Sequence, residues 1–310
     1  MRRVKFGLFC PQVGLPFDAI KERAQAADRL GYDSIWFVDH FWGRGVPQMD
    51  HLDAWTLMSS IAVLTERLRI GTLVMCNSYR NPALLAKMSA SLDQVSNGRF
   101  VLGLGAGWMD EEYRAYGYPF PSMRVRIEQL EEALAIIRRL FVEPVASFQG
   151  KYYAIEEAVN NPKPVQKPHP PILIGGAGEK RMLRVVAEHA DIWNCPNNAS
   201  TELEHKLAVL RQHCEAVGRD PSSIEVSEQT ICVLGRNEDD LRQKLQFAKR
   251  TLGNVFDIDN TALIGTPPQL VDAIKKRNRQ GVTFFTILFT DFNQPETMEL
   301  FAETVAPAFA

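Results

Sequence analysis

Short runs of Val, Ile, Leu and Phe alternate along this chain with longer segments whose apolar residues recur every three or four positions. Val4 to Cys10 reads as a buried strand, and Phe17 to Leu30 as an amphipathic helix that Gly31 stops. The same pairing repeats: strand Ser34 to Val38 with helix Asp53 to Thr65, strand Leu68 to Met75 with helix Pro82 to Val95, which Asn81-Pro82 can open. Strand Arg99 to Gly105 is followed by an extra turn rich in Tyr, Gly and Pro, then a long helix, Ser122 to Phe141. Pro144 to Pro171 breaks the rhythm with a hairpin turning at Gln149-Gly150 and the extended NPKPVQKPHPP. Beyond it come strand Ile172 to Ile174, helix Glu179 to His189, strand Asp191 to Asn194 and helix Thr201 to Val217. Strand Ile224 to Leu234, helices Asp239 to Leu252 and Pro267 to Gln280, strand Thr283 to Phe289 and the segment Pro295 to Phe309 complete the pattern.

Eight continuously apolar strands separated by helices predict a parallel sheet covered on both faces. We expect an α/β fold, a (β/α)8 TIM barrel forming one domain over residues 1–310, with an insertion at about 144–171. An open, doubly wound sheet is the rival arrangement. No internal repeat or low-complexity tract competes with these readings.

Composition narrows the partners. Lys plus Arg number 35 and Asp plus Glu 37, a net charge of −2, which gives no reason to expect nucleic acid or an anionic membrane surface. No stretch reaches the roughly 18 apolar residues of a membrane span, and the N-terminal run is too short for a signal peptide, so a cytoplasmic protein is expected. Cys10, Cys76, Cys195, Cys214 and Cys232 are odd in number and none pair at metal-ligand spacing; free thiols and no metal are expected.

In a barrel of this kind the chemistry gathers at the C-terminal ends of the strands. The second strand ends in Asp39-His40, a carboxylate and an imidazole suited to acid–base work near neutral pH, although a helix cap beside a packed histidine would look the same. The third ends in Cys76-Asn77-Ser78-Tyr79-Arg80, polar groups that suit a ring bearing carbonyls, or an ordinary loop. The fourth ends in Gly103-Leu104-Gly105-Ala106-Gly107-Trp108, which departs from the dinucleotide fingerprint at Trp108. The fifth ends in Gly175-Gly176-Ala177-Gly178 before a helix opening with Lys180 and Arg181, an arrangement that can receive a phosphate. The remaining histidines, including His51, read as structural. Asp110-Glu111-Glu112 reads as a solvated first turn of a helix, close enough to the fourth strand to stay in play.

Several segments together resemble the luciferase-like monooxygenase superfamily, and within it the F420-dependent (deazaflavin) oxidoreductases: DSIWFVDHFW, RIGTLVMCNSYRNPALLAKMSASLDQVSNGRFVLGLGAGWMDEEYRAYG, RIEQLEEAL, NNPKPVQKPHPPILIGGAGEKRMLRVVAEHADIWN and GTPPQLVDAI. The resemblance implies a flavin-like ring at the strand mouths, with His40 and Asp39 serving proton transfer. It places a non-proline cis peptide at Leu73-Val74, sets Cys76, Asn77, Gly107 and Trp108 beside the cofactor, and gives its phosphate to Gly175, Gly176 and Gly178. Trp42 would cover the substrate side. One departure stands out: the sugar-phosphate dehydrogenases of the group carry a glutamate where this chain has Trp108, which cannot transfer a proton. That argues against a sugar-phosphate substrate and leaves Glu111 or Glu112 as substitutes, with Glu111 expected on the substrate side.

The expected function is hydride transfer between coenzyme F420 and a small organic substrate, with His40 giving or taking the proton. The alternative is an FMN-dependent, two-component monooxygenase. From other classes, a barrel aldolase or isomerase acting on a phosphorylated substrate lacks a lysine at an obvious strand end, and a non-catalytic flavin-binding protein leaves Asp39-His40 unexplained. A homodimer is carried over from the resemblance.

Overall fold

The computed structural model describes residues 3–291 and 294–310. Its strands are β1 Lys5–Phe9, β2 Ser34–Phe37, β3 Arg69–Thr72, β4 Met75–Cys76, β5 Leu102–Gly105, β6 Ala146–Gln149, β7 Ala154–Ala158, β8 Ile172–Gly175, β9 Ile192–Cys195, β10 Glu225–Leu234, β11 Leu263–Gly265 and β12 Phe284–Phe289. One sheet runs β3-β2-β1-β12-β10-β9-β8-β5-β4, every neighbouring pair parallel, with β11 added beside β10. The two ends of that order, β3 and β4, are consecutive in the chain. The Ile70 N–H also donates to Arg99 O (2.9 Å) and Val101 N–H to Ile70 O (2.9 Å), so the sheet curls back on itself as the expected TIM-type barrel.

Two layers of core follow from the alternation of side chains along each strand. Phe9, Trp36, Val101, Leu173, Ile231, Val233, Phe284 and Leu288 fill the barrel interior. Leu8, Ile35, Ile70, Leu102, Ile174, Phe285 and Ile287 meet the surrounding helices instead. Crowding inside the barrel selects glycine at particular places: a Cβ on Gly71 would press on the Trp36 ring and Val101 O, and one on Gly103 would collide with Thr72 O. Gly103→Ala is therefore expected to force β3 and β5 apart and to cost about 2 kcal/mol, the scale of overpacking a tight core. A urea midpoint equal to that of the unaltered protein would show that the strands can relax.

Helix ends follow the local chemistry. The helix Phe17–Leu30 stops at Gly31, whose φ of 81° lets its N–H reach back to Asp28 O. Asn81 caps Pro82–Val95, its side chain accepting from Ala83 and Leu84 N–H (2.9 and 3.3 Å). The inserted hairpin is β6 and β7, joined by a turn in which Gly150 N–H donates to Tyr153 O.

Three expectations shift. The single strand expected over Leu68 to Met75 is interrupted at Leu73-Val74, a cis peptide, giving β3 and β4. The helix expected from Glu179 begins at Met182, because residues 179–181 form a turn after the glycines. The strand β11 lies in a stretch without an expected element, its three residues being too short a run to register against the pattern. Among the described residues no helix is long and apolar enough to cross a membrane, and all five cysteines are free and buried.

Candidate active site

The C-terminal ends of β2, β4, β5 and β8 bring the expected residues to one end of the barrel. Asp39 and His40 follow β2, and their backbone is fixed by a buried glutamine: Gln12 Nε2 donates to Val38 O (2.7 Å) and Leu52 O (2.9 Å), while Val38 N–H donates to Gln12 Oε1 (3.1 Å). Asp39 turns away from solvent. Its two carboxylate oxygens receive a fork from Arg80 Nη1 and Nη2 (2.8 and 2.9 Å), and one also accepts from Cys76 N–H (2.9 Å). A carboxylate so saturated holds the loops after β2 and β4 together.

His40 Nδ1 lies 2.7 Å from Glu112 Oε2. Glu112 is fully buried and also accepts from Phe41 N–H (2.7 Å) and the Tyr79 hydroxyl (3.0 Å). Burial by itself would raise the Glu112 pKa, but the hydrogen bond and charge of His40, with the Phe41 N–H and Tyr79, outweigh it and hold the carboxyl below its ordinary value. Burial first, then Cys76 and Glu112, raises the Tyr79 phenol, which stays a donor. An ionised Glu112 can only accept, so Nδ1 of His40 carries hydrogen and Nε2 is left to exchange a proton. Among the described residues Nε2 has no protein hydrogen-bond partner.

The acidic cluster therefore differs from its expected solvated form. The helix Asp110–Ala115 exposes Glu111 and buries Glu112 and Tyr113, and Met109 just before it is buried as well. Positions 109, 112 and 113 follow the three-and-four spacing of a covered helical face, a signal already present in MDEEY, and of the two glutamates held open Glu112 is the one that reaches His40. Glu111 points outward and takes no part in the cluster.

Val74, just past the cis peptide, fills the barrel end: a Cβ on Gly105 or Gly175 would come within 2.6 and 2.9 Å of its methyl groups. Those two glycines make room for Val74. Gly107 (φ 74°) packs under Tyr113 and Cys76, where a Cβ would lie 2.7 Å from Sγ. Burial pushes the Cys76 thiol up to about 11, and it sits 2.9 Å from the Tyr113 hydroxyl as a neutral group. Asn77 is buried, its amide 3.5 Å from the Tyr153 hydroxyl of the inserted hairpin, so the insertion reaches the site. Gly176 has φ 133°, and Gly178 meets only Met182 Cβ, at 3.5 Å, leaving open space before a helix whose N-terminus has no side-chain cap. Such a cradle, with Lys180 and Arg181 beside it, fits a phosphate.

Aromatic rings form the outer wall. Trp108 is half exposed (51%), meets His40 edge-to-face at 5.4 Å, and lies under the Arg44 guanidinium at 5.3 Å. Phe41 stacks on Tyr116 at 3.8 Å, and Trp42 leans against Tyr116 at 5.8 Å.

Comparison with known proteins follows from this geometry. A model of the luciferase-like monooxygenase family matches residues 4–256. The chain belongs to that family. Its relatives use two cofactors. An FMNH(2)-dependent dimethylsulfone monooxygenase of Pseudomonas putida is 24% identical, over 98% of this chain and 94% of its own. An F420-dependent glucose-6-phosphate dehydrogenase of Amycolatopsis mediterranei is 30% identical, over 74% of this chain and 68% of its own. Among solved structures, an F420-dependent secondary alcohol dehydrogenase in complex with an F420-acetone adduct shares the fold, with a TM-score of 0.87, 22% identity and 99% of both chains covered. The names of these relatives show that cofactor and substrate vary among proteins similar to this chain.

Proposed function

We propose that this protein is an oxidoreductase that transfers a hydride between coenzyme F420 and a small organic substrate, with His40 giving or taking the accompanying proton. The observation that carries the reading is His40 itself: Nδ1 is anchored on a buried Glu112, and Nε2 is unpartnered at the barrel mouth. A neutral or protonated Nε2 held by a fixed carboxylate is the arrangement that general acid–base catalysis needs.

When bound, the deazaflavin supplies the hydride chemistry. Val74 and the Leu73-Val74 peptide would back its ring, and Cys76, Asn77, Gly107 and Trp108 would flank it. Gly175, Gly176 and Gly178 would lead its phosphate to the uncapped helix end. Asp39 acts as a positioning residue, fixing Arg80 and the Cys76 backbone. Trp42 and Trp108 shape the substrate side. A homodimer in the cytoplasm remains part of this proposal.

The FMN-dependent monooxygenase is the second reading, supported by the nearly full-length match to the dimethylsulfone enzyme. Titrating the purified protein with F420 and with FMN, by fluorescence quenching, separates the two. Micromolar or tighter binding of F420 with weak FMN binding supports hydride transfer; the reverse preference moves the assignment to the monooxygenase; binding of neither removes both.

A further inference from the structure

Two cations stand on the loops that carry His40 and Asn77: Arg44 after β2 and Arg80 after β4. Arg80 is spent, its fork closed on Asp39 and its Nη2 3.7 Å from Asp53. Arg44 is exposed, and among the described residues its guanidinium has no hydrogen bond or ion pair; the nearby Asp110 is paired with Arg114 instead (2.8 Å). Its place is fixed all the same. Val46 N–H donates to Gly43 O (2.9 Å) across a tight turn, and Gly45 takes the positive φ, 77°, that such a turn asks of its third residue. Gly43 lies so close to Val13 that a Cβ there would come within 2.5 Å of a methyl group. The Arg44 guanidinium lies over the Trp108 ring, 5.3 Å from its centre and within cation–π range. That same ring meets His40 at 5.4 Å. One half-exposed indole thus joins an unpaired, solvent-accessible cation to the imidazole whose Nε2 has no partner. On open surface a lone arginine signals nothing; here the molecule that His40 acts on has that charge for a neighbour.

We propose that Arg44 selects the substrate: its guanidinium receives a carboxylate, while the body of the molecule lies along Trp108 towards His40. This rests on the active-site reading given above and names the class of molecule the site receives. A planar guanidinium offers paired N–H donors that match the two oxygens of a carboxylate. Lys180 and Arg181 stand beside the glycine cradle after β8, which that reading gives to the cofactor phosphate, so Arg44 brings a single charge to the substrate side. One guanidinium balances one carboxylate; a phosphate dianion would bring a second charge with no second cation to meet it. The walls set the rest of the molecule. Phe41 stacks on Tyr116, Trp42 leans against it, and Trp108 and Tyr116 are each about half exposed. Such rings cover a flat, apolar body. The substrate class is therefore a small monocarboxylic acid with an aromatic or similarly flat body.

The test uses the protein loaded with whichever of F420 or FMN it binds, titrated by calorimetry with benzoate, phenyl phosphate and benzyl alcohol. Benzoate should bind most tightly of the three, and its affinity should fall as salt is added. Arg44→Gln should weaken benzoate about tenfold (about 1.4 kcal/mol), remove most of the salt dependence, and leave benzyl alcohol and cofactor affinity unchanged. Arg44→Lys keeps the charge without the fork and should retain part of the benzoate affinity. Because Arg44 is exposed, both variants should melt with the unaltered protein, which separates lost recognition from lost fold. Equal benzoate affinity in the unaltered protein and Arg44→Gln overturns the inference. So does tighter binding of benzyl alcohol or phenyl phosphate than of benzoate, or binding of none of the three. Loss of cofactor affinity in Arg44→Gln would make Arg44 a cofactor contact and overturns it too. Failure of the unaltered protein to bind either cofactor, seen before any benzoate is added, removes the parent reading and this one with it.

Discussion

His40→Ala is expected to lower kcat/KM by about 10²–10⁴, the span of one general acid–base group, while cofactor affinity stays within about tenfold. The two parts separate because the ring Nε2 is unpartnered whereas Nδ1 is spent on Glu112. Removing the imidazole deletes the proton carrier and leaves the Val74 backing and the Gly176–Gly178 cradle in place. Adding free imidazole to the alanine variant should restore part of the rate, since the space beside Glu112 is then open. Unchanged turnover would take His40 out of the mechanism. A collapse of cofactor binding would instead make it a binding residue.

The second large effect is at Glu112. Four donors converge on its carboxylate: His40 Nδ1, the Phe41 and Trp42 N–H groups and the Tyr79 hydroxyl. Glu112→Gln turns part of that acceptor into a donor and leaves at least one buried group facing a like partner. The expected loss is about 3 kcal/mol of stability, the scale of breaking a buried pair. Turnover should also fall, because His40 is freed to place its hydrogen on either nitrogen. The sign of the pH dependence follows from the depressed carboxyl. A carboxyl with a lower pKa folded than unfolded contributes stability above the unfolded value, about 4.3, and loses it as pH falls through the folded value. The gap between the unaltered protein and Glu112→Gln, measured by urea unfolding, should therefore be widest near neutrality and narrow below about pH 4.3. A gap that widens on acidification would mean Glu112 is protonated in the folded protein.

Much of this architecture is legible in the chain because its signals are local. Apolar strands between amphipathic helices announce a covered parallel sheet, and Gly31 and Asn81 mark helix ends by conformation and capping. The residues at the strand mouths are legible too, since strand ends place them wherever the chain exits. What they do is less so. Asp39 and His40 are adjacent, yet one is consumed by Arg80 and the other by Glu112, partners 41 and 72 positions away. Periodicity in MDEEY could have chosen Glu112 over Glu111, but the turn is short and its acidic run looks solvated. The three-residue β11 escapes for a plainer reason, being shorter than any periodicity can register.

The way the barrel closes has a mechanical consequence. Both ends of the hydrogen-bonded order belong to one stretch, residues 69–76, and that stretch meets residues 100–105 through a single bridge from Ile70 to Phe100 and the two-residue register of β4 with β5. Elsewhere the staves are joined by three or more paired positions. This is the seam of the cask, and it runs up to the rim where Cys76 and Asn77 stand. Breathing of the wall is expected to start along that line, so the fold's loosest joint and the doorway to its chemistry coincide, and slack in one is felt first as width in the other.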